Sequence, residues 1–312
     1  MQPKKSYLSY IVLFLLSVQF SNAQYFARKD SWKKERKEIL VGLGANNCLT
    51  DIGGLNRIGT HYSYADMKFV FTNFSASLGY RYRLNKSFAS RTEFSYLKLT
   101  GTDATTKEPF RHNRNLNFKT NVFEFATVIE FALSNIKKGN RYHIKKTLFR
   151  RKKSMSSYYY LFAGIGGFYF NPQAQYGGNW YPLHSMSTEG EGLPGGPKQY
   201  SLIAISIPFG IGARYKLNTK WTIGIEYNFR KTFTDYLDDC SGKYYDNNKI
   251  LLYKGPIAAH LADPNLGLIP GQSITGQERG DPTNKDAYFN LQVKVGYTLA
   301  GKKKRRITKA KF

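Results

Sequence analysis

Apolar and polar side chains alternate along most of the chain in short segments with a period of two. The clearest segment runs from Phe74 to Leu84, with Phe, Ala, Leu and Tyr on one face and Ser, Gly and Arg on the other. Such alternation is typical of a β-strand with one apolar face, because successive side chains point to opposite sides of a strand. Seven further segments begin near residues 39, 88, 123, 158, 203, 221 and 289. The pattern predicts eight strands, although the faces of 158–170 cannot be separated because aromatic residues occupy both.

Two architectures accommodate eight such strands, a soluble barrel or sandwich and a transmembrane barrel. The apolar faces are unbroken rows of Phe, Tyr, Ile and Leu over about ten residues, the length with which a tilted strand crosses a bilayer. The opposite faces carry Gly, Ser, Asn and charges of both signs. These faces favour the membrane. We therefore predict an all-β fold, an eight-stranded antiparallel transmembrane β-barrel with long extracellular loops and a side-chain-filled lumen.

Charged residues fall on the faces predicted to point into the lumen. Eight strands leave an interior just wide enough for side chains to fill, and an unpaired buried charge costs several kcal/mol. We therefore predict a lumen charge network of Arg–Glu pairs, with a charged translocation path as the alternative. Its members are Arg81, Arg83, Arg91, Glu93, Glu124, Glu130, Arg214, Glu226 and Arg230, with Lys294 on the same face.

The N-terminus has the features of a secretory signal peptide. Lys4 and Lys5 precede an apolar run over 10–18, and Ser21-Asn22-Ala23 offers a small-residue cleavage site. An uncleaved anchor is the alternative. The expected organisation is a signal peptide over 1–23, a periplasmic leader over 24–36, an outer-membrane β-barrel over 37–299 and a basic periplasmic tail over 300–312.

Short and long connections alternate between the predicted strands. Asn85-Lys86 and Asn218-Thr219 suit tight hairpin turns, whereas long loops are expected over 46–73, 100–120, 171–200 and 234–286. Short turns face the periplasm and long loops face outward in barrels of this kind. The connection 134–156 is a periplasmic exception of intermediate length.

Positive charge concentrates on the predicted periplasmic side of a chain whose net charge is +26. Segment 134–156 holds nine basic residues and the tail seven, and neither holds an acid. This basic collar favours either the anionic headgroups of outer-membrane lipid or an acidic periplasmic protein, and secretion excludes nucleic acid. Its candidate partner-binding residues are Lys137, Lys138, Arg150, Arg151, Lys152, Lys153, Lys302, Lys303, Lys304, Arg305 and Arg306.

No motif for catalysis, metal binding or a cofactor stands out, so we expect a protein that is not an enzyme and has no cofactor. Asp235, Asp238, Asp239 and Asp246 cluster at the start of the last long loop. Calcium binding or an acid pair is one interpretation, and turn chemistry is the favoured one. Cys48 and Cys240 both fall on the outer side, where a disulfide between loops is an open alternative.

Several stretches resemble one family. They are TDYLDD at 234–239, FAGIGGFYFNP at 162–172, TEGEG at 188–192, IPFGIG at 207–212 and NLNF at 115–118. Over most of 37–299 the chain resembles the PorG-like outer-membrane β-barrel family of Bacteroidota. The resemblance implies a non-enzymatic component of the type IX secretion system in the outer membrane. It also implies association with a periplasmic ring built by a PorK-like lipoprotein and its PorN-like partner, and it carries over no individual binding residue. The alternative function is that of a general outer-membrane barrel or porin-like passage of small solutes.

Overall fold

The computed structural model describes residues 36–53, 71–137 and 156–299, and eight of its strands form one closed ring. Each strand pairs antiparallel with the next along the chain, and the last strand closes on the first. A ninth short strand, β6 (Asn179–Pro182), folds back on β5 outside the ring. The predicted eight-stranded antiparallel barrel is confirmed. Its strands are β1 (Lys37–Leu49), β2 (Asn73–Arg83), β3 (Phe88–Thr102), β4 (Asn117–Lys137), β5 (Ser156–Tyr176), β7 (Ile203–Lys216), β8 (Trp221–Thr232) and β9 (Ala287–Leu299).

The ring is staggered, as a closed sheet must be. Paired residues followed once around the barrel from Asn46 return to β1 at the level of Arg36, which is ten residues away. Such a shear tilts the strands by roughly 35–45° from the barrel axis. With eight strands, the interior has room for side chains and little else.

The alternation predicted from the sequence separates the two faces of the wall. Apolar side chains point away from the axis and are well exposed, for example Phe125 at 61% and Ile165 at 62%. Charged side chains point inward and are buried, for example Arg91 at 1%. A soluble barrel has the opposite arrangement, so this surface is one that faces lipid. The apolar belt also includes Val41, Leu43, Leu78, Phe94, Ile205, Ile211, Ile225, Leu291 and Val293.

Pairing with β4 fixes the faces of β5, which the sequence could not separate. Tyr158, Tyr160 and Phe162 are buried and point inward, whereas Tyr159 and Leu161 are exposed on the lipid side. Aromatic residues therefore serve both surfaces of this one strand, as lumen filling and as membrane contact.

Aromatic pairs mark the periplasmic end of the belt. Trp221 and Tyr297 lie with ring centroids 4.9 Å apart, and Phe88 and Phe131 lie 5.1 Å apart. Girdles of this kind sit at the membrane–water interface of outer-membrane barrels.

Both predicted tight turns form at the periplasmic end. The side chain of Asn85 accepts hydrogen bonds from the backbone N–H groups of Ser87 and Phe88, each at 2.8 Å. Asn218 does the same for Lys220 and Trp221. Asn is favoured in turns because its short side chain can satisfy the backbone N–H groups that follow it.

The outer connections are folded rather than extended. Because β3, β4 and β5 run beyond their predicted ends, the second and third outer loops are shorter than expected. The loops contain the helices α1 (Pro109–Arg114), α2 (Leu183–Met186), α3 (Asn247–Lys254) and α4 (Pro256–Ala262). None of the helices in the described ranges has the length and apolar character needed to span a bilayer. We call residues 50–53, 103–116, 177–202 and 233–286 together the cap.

An apolar cluster lies where the cap meets the outer mouth of the barrel. Its strand residues come from β3, β4, β5 and β9, and its cap residues from three of the loops. Burial of this surface fixes the cap on the barrel, since apolar burial stabilises by about 25 cal/mol per Å². The buried members are Ile52, Leu97, Leu99, Leu116, Phe118, Val122, Phe168, Phe170, Leu237, Cys240 and Tyr288.

Candidate functional site

Ten charged side chains fill the lumen, five of each sign. All are at least nine-tenths buried. They come from seven of the eight strands, so the network spans the ring from wall to wall. The acids are Glu38, Glu93, Glu124, Glu130 and Glu226, and the bases are Arg81, Arg91, Arg214, Arg230 and Lys294.

Arg91 is the centre of this network. Its two terminal nitrogens bond both oxygens of Glu226, at 2.6 and 3.0 Å. The same guanidinium lies 3.4 Å from Glu130 and 3.5 Å from Glu93. Lys294 completes the cluster, at 2.6 Å from Glu93 and 2.8 Å from Glu226. Two-pronged Arg–carboxylate contacts are the strongest ion pairs in geometry and energy.

A second set of pairs lies nearer the periplasm. Glu130 accepts from Arg81 at 2.5 Å and from Arg214 at 3.1 Å. Glu38 lies 3.3 Å from each of these arginines and accepts a short hydrogen bond from Thr222. Glu38 is a member of the network that the lumen set predicted from the sequence does not include. The signal was present, because Glu38 continues the inward phase of Leu40 and Gly42.

The network ends on the outer side with Arg230, which donates to Glu124 at 2.5 Å. Ser206 and Tyr288 donate to the other oxygen of the same carboxylate, at 2.7 and 3.2 Å. Directly above lies the apolar cluster of the cap, which contains Tyr288.

Aromatic rings occupy the space that the ion pairs leave. Arg91 lies over Phe162 at 5.0 Å, Arg214 over Tyr160 at 4.9 Å and Arg230 over Tyr288 at 5.5 Å. Each contact is a cation–π interaction, and it covers the guanidinium face that no carboxylate reaches. The lumen is therefore filled by side chains, as predicted, and is not an open charged path.

Arg83 departs from the other predicted lumen residues. It lies at the end of β2, is half-buried at the periplasmic mouth, and forms no ion pair with any described residue. The acids within the lumen above it are already paired with Arg81, Arg91 and Arg214. The alternating pattern predicted the correct face for Arg83. It could not show that Arg83 lies closer to the periplasm than the acids of the lumen network do.

Two arginines organise the cap. Arg114 pairs with Asp103 at 2.8 Å and donates to the backbone oxygens of Asp51 and Arg279, at 2.9 and 2.6 Å. Arg279 pairs with Glu189 at 3.0 Å and donates to the backbone oxygen of Asp239 at 2.5 Å. The cap loops are thereby tied to one another across the mouth.

Buried carboxyl groups greatly outnumber these two arginines. Asp238 accepts from the N–H groups of Ile52 and Cys240, and Asp286 accepts from that of Leu237. Burial raises the pKa of both carboxyls well above the ordinary range for Asp. These carboxyl groups act as tie points between loops without a cation at ion-pair distance among the described residues.

Three more cap carboxyls behave similarly. Burial raises the pKa of Asp235 to about 7. Burial and the neighbouring Asp239 raise the pKa of Glu191 to about 8. For Asp239, burial raises the pKa to about 6, although Arg279 and hydrogen bonds from Thr188 and Tyr200 act in the opposite direction. Near neutral pH, some of these groups therefore carry a proton.

The aspartate cluster noted in the sequence is divided among these structural roles. Asp246 caps α3 by accepting from the N–H of Asn248, while Asp238 and Asp239 hold neighbouring loops. In the part of the chain that the structure describes, no three His, Cys, Asp or Glu side chains are arranged to hold a metal ion. The geometry therefore favours the turn-chemistry interpretation over calcium.

The disulfide between Cys48 and Cys240 is absent, and both thiols are free. Cys240 donates to the backbone oxygen of Arg279 at 3.2 Å, whereas the thiol of Cys48 contacts the backbone oxygen of Thr100 at 4.0 Å. Of the two alternatives that the sequence left open, the geometry favours free thiols, because each thiol is turned toward a different carbonyl group.

The basic collar falls mostly outside the described residues. Its members from 138–155 and 302–306 belong to segments that the structure does not describe, as do the predicted signal peptide and most of the leader. The described periplasmic rim is nevertheless basic, and the nearest acids among the described residues, Glu38 and Glu130, are both buried in lumen ion pairs. The rim residues are Arg36, Lys37, Arg83, Lys86, Lys216 and Lys220.

A closed antiparallel ring with an outward apolar belt, aromatic girdles and a polar interior defines an outer-membrane β-barrel protein. The protein lies in the outer membrane. No family model matches the chain, and neither does any curated protein. Among solved structures it is similar to Neisserial surface protein A (NspA), with 7% identity, a TM-score of 0.36, and coverage of 84% of this chain and 97% of that one.

Two other barrels show comparable likeness. Ail, the attachment invasion locus protein of Yersinia pestis, is 12% identical with a TM-score of 0.32, covering 85% of this chain and 99% of Ail. The outer membrane protein OprG from Pseudomonas aeruginosa is 8% identical with a TM-score of 0.34, covering 86% and 98%. Values this low say nothing about function, and the class rests on the strand pairing and surface described above.

Proposed function

We propose that the protein is a non-enzymatic barrel that anchors a periplasmic assembly through its basic periplasmic end. One observation carries the proposal, namely that positive charge concentrates on the periplasmic side of a barrel whose lumen is filled by side chains. The described rim contributes six basic side chains, and the neighbouring undescribed segments add many more with hardly any acids. An acidic protein surface is the complement of such an end.

The resemblance to the PorG-like family gives this proposal a specific form. We infer that the assembly is a type IX secretion ring containing PorK-like and PorN-like proteins. The sealed lumen supports this role, because a membrane anchor needs no open channel, whereas its own lipid-facing belt holds it in place.

Affinity recovery from native membranes tests the anchor. One variant changes four basic residues of the 134–156 connection to Gln, and a second changes four of the tail. The matched control changes four basic residues of the cap, on the opposite side of the membrane. The sets are Arg150, Arg151, Lys152 and Lys153; Lys302, Lys303, Lys304 and Arg305; and Lys107, Lys198, Lys243 and Lys249.

We expect both periplasmic variants to lose the copurifying periplasmic protein and the control to keep it. The loss should grow with salt, because screening weakens attraction between exposed charges. Recovery that stays unchanged in both periplasmic variants would refute the anchor. If the periplasmic variants keep the periplasmic protein but bind less well to vesicles that contain anionic lipid, the collar binds lipid headgroups instead. Each basic residue would then contribute about 1 kcal/mol to membrane binding.

Passage of small solutes is the competing function, and the filled lumen argues against it. Arg91, Glu226 and Tyr160 meet within hydrogen-bond distance at the centre of the barrel. We expect no stable conductance step from the full-length protein in planar bilayers. Regular openings would contradict the sealed lumen and favour a porin-like role.

A further inference from the structure

Arg83 is the inward-facing arginine of β2 that the lumen network leaves out. Its neighbour two residues earlier, Arg81, bonds Glu130 at 2.5 Å and lies 3.3 Å from Glu38. Arg83 itself is half-buried at the periplasmic mouth and has no acidic partner among the described residues. A partly exposed guanidinium without a carboxylate keeps its fork of N–H donors available to an incoming acceptor.

A notch of about 10 Å³ opens beside this side chain. Its acid, Glu130, already accepts from Arg81 and Arg214. Among the described residues, no acid pairs with the other two cations of the wall, Arg83 and Lys86. The volume suits the tip of one small polar group rather than a whole ligand, since about 10–15 Å³ holds one water-sized probe. The notch is lined by Arg81, Arg83, Lys86, Ser87, Phe88, Glu130, Ala132, Tyr158 and Tyr160.

The position of the notch restricts what can enter it. Most of its wall is built from side chains that point toward the barrel axis, including Tyr158 and Tyr160, so it opens into the periplasmic mouth. Phe88 is the one lining residue that belongs to the lipid-facing girdle, whereas the arginines and the acid of the notch face the barrel axis. The chain segments that continue from β4 and β9, 138–155 and 300–312, contain no acidic side chain. A carboxylate side chain that enters the notch therefore comes from a periplasmic protein or from the acidic residues of the leader.

We propose that the Arg83 notch is a socket for one carboxylate side chain of the periplasmic protein that the barrel anchors. This inference rests on the proposed function and adds to it the chemistry of the contact. Arginine binds a carboxylate through two parallel N–H···O bonds, which fixes orientation as well as attraction. The basic collar attracts the partner at long range, and the socket fixes the position and orientation in which the partner binds the periplasmic end of the barrel.

The leader offers an internal competitor, since Asp30 and Glu35 precede β1 and are acidic. If either filled the socket, the notch would serve the stability of the barrel and not its partner. The double variant Asp30→Asn, Glu35→Gln is therefore part of the test.

The test measures binding of fluorescein-labelled hexaglutamate to the full-length protein in detergent, together with recovery of the periplasmic protein. Arg83→Gln removes the proposed socket. Lys220→Gln is the matched control, because it removes one rim charge in the other tight turn, away from the notch. Thermal unfolding of each variant checks that the barrel is folded.

We expect Arg83→Gln to weaken hexaglutamate binding about tenfold and Lys220→Gln to weaken it by about twofold or less. Arg83→Lys should restore only part of the binding, because an ammonium keeps the charge but loses the fork. Recovery of the periplasmic protein should follow the same order.

Equal effects of Arg83→Gln and Lys220→Gln would overturn the socket while leaving the anchor intact, provided that the four-residue collar variants still lose the partner. If the collar variants also keep the partner, the anchor itself fails. If the leader double variant lowers the unfolding temperature as much as Arg83→Gln does, and partner recovery is normal in both, Arg83 belongs to an internal ion pair and the socket is refuted.

Discussion

The lumen and the cap both bury many charged groups, but they balance them in different ways. The lumen matches five acids with five bases on rigid strands, and every carboxylate there lies within 3.5 Å of a cation. The cap sets two buried arginines against seven buried acids, most of which bond backbone N–H groups or hydroxyls instead. These acids are Asp103, Glu189, Glu191, Asp235, Asp238, Asp239 and Asp286.

The difference means that the stability of the lumen depends on its ion-pair partners, whereas the stability of the cap depends on pH. The lumen is held by Coulomb attraction between fixed partners, so loss of one partner leaves a charge uncompensated. The cap depends on carboxyl groups that remain protonated, so proton concentration acts on it directly. Both regions close the barrel, but only the cap is expected to loosen when the pH rises.

The largest effect should follow removal of the lumen hub. Arg91→Ala leaves Glu226 without its two-pronged partner, and breaking a buried pair on one side costs about 3–5 kcal/mol. We expect a fall of this size in the free energy of unfolding, measured by denaturant titration in detergent. Arg83→Ala is the control, because it removes an arginine that has no ion pair with any described residue, and it should cost about 0.5 kcal/mol or less. Equal losses in both variants would contradict the paired network.

A smaller effect should come from the packing of the barrel wall. A Cβ at Gly164 would lie 2.0 Å from the backbone oxygen of Thr127 on β4, which cannot move aside without shifting the strand. We expect Gly164→Ala to lower the free energy of unfolding by about 1–3 kcal/mol, as overpacking does in cores. At Gly167 the same atom meets nothing within 4 Å, so Gly167→Ala is the matched control. A neutral Gly164→Ala would indicate a looser wall than the structure shows.

The pH response separates cap from lumen most directly. A carboxyl group whose pKa is raised on folding contributes stability that is complete below its unfolded value near 4, and this contribution is lost as the pH rises through the folded value. With Asp239 at about 6, Asp235 at about 7 and Glu191 at about 8, the cap should weaken between pH 5 and 8.5.

Hydrogen exchange, corrected for the intrinsic pH dependence of the rate, measures this weakening. We expect protection of amides in 233–242 to fall about tenfold over the range, with strand amides of β3 and β8 unchanged. Asp235→Asn, which mimics the protonated side chain, should reduce the fall. A parallel loss in the strands would mean that the two regions do not respond separately.

The smallest effect is expected for the two cysteines, whose state should not change with reductant. Burial raises the pKa of the Cys240 thiol, and both cysteines are free. Electrophoretic mobility should be the same with and without reductant, and maleimide should label Cys240 only after unfolding. A faster band without reductant would restore the disulfide between Cys48 and Cys240.

The sequence predicted the barrel well, because one face of each strand must meet lipid and the other must not. The apolar side chains in the rows that begin at Phe74 in β2 and at Ile203 in β7 lie on the lipid-facing side, as predicted, and most of them are exposed. In β5 the pattern was insufficient, because Tyr158 and Tyr159 are equally suited to filling a lumen and to contacting a membrane. Only the hydrogen-bonded register with β4 separates them.

The candidate sites were harder to predict, since their partners are distant along the chain. Periodicity identified Arg91 and Glu226 as inward-facing, but it could not show that these residues, 135 positions apart, bond each other. The acidic stretch 235–239 was visible, whereas its connection to Glu189 through Arg279 was not. Cap loops lack a repeating pattern, so nothing local in the sequence specifies which loop lies against which.

Glu38 on the first strand of the ring pairs with Arg81 on the second strand and with Arg214 on the sixth. This pairing between early and late strands of the sheet affects how the protein enters its membrane. An open sheet would present these charges to hydrocarbon one by one, before their partners had arrived. We therefore expect the strands to cross the hydrophobic thickness as the ends of the sheet come together, with insertion coupled to closure. A truncated chain lacking the late strands would remain at the membrane surface rather than insert as a partial barrel.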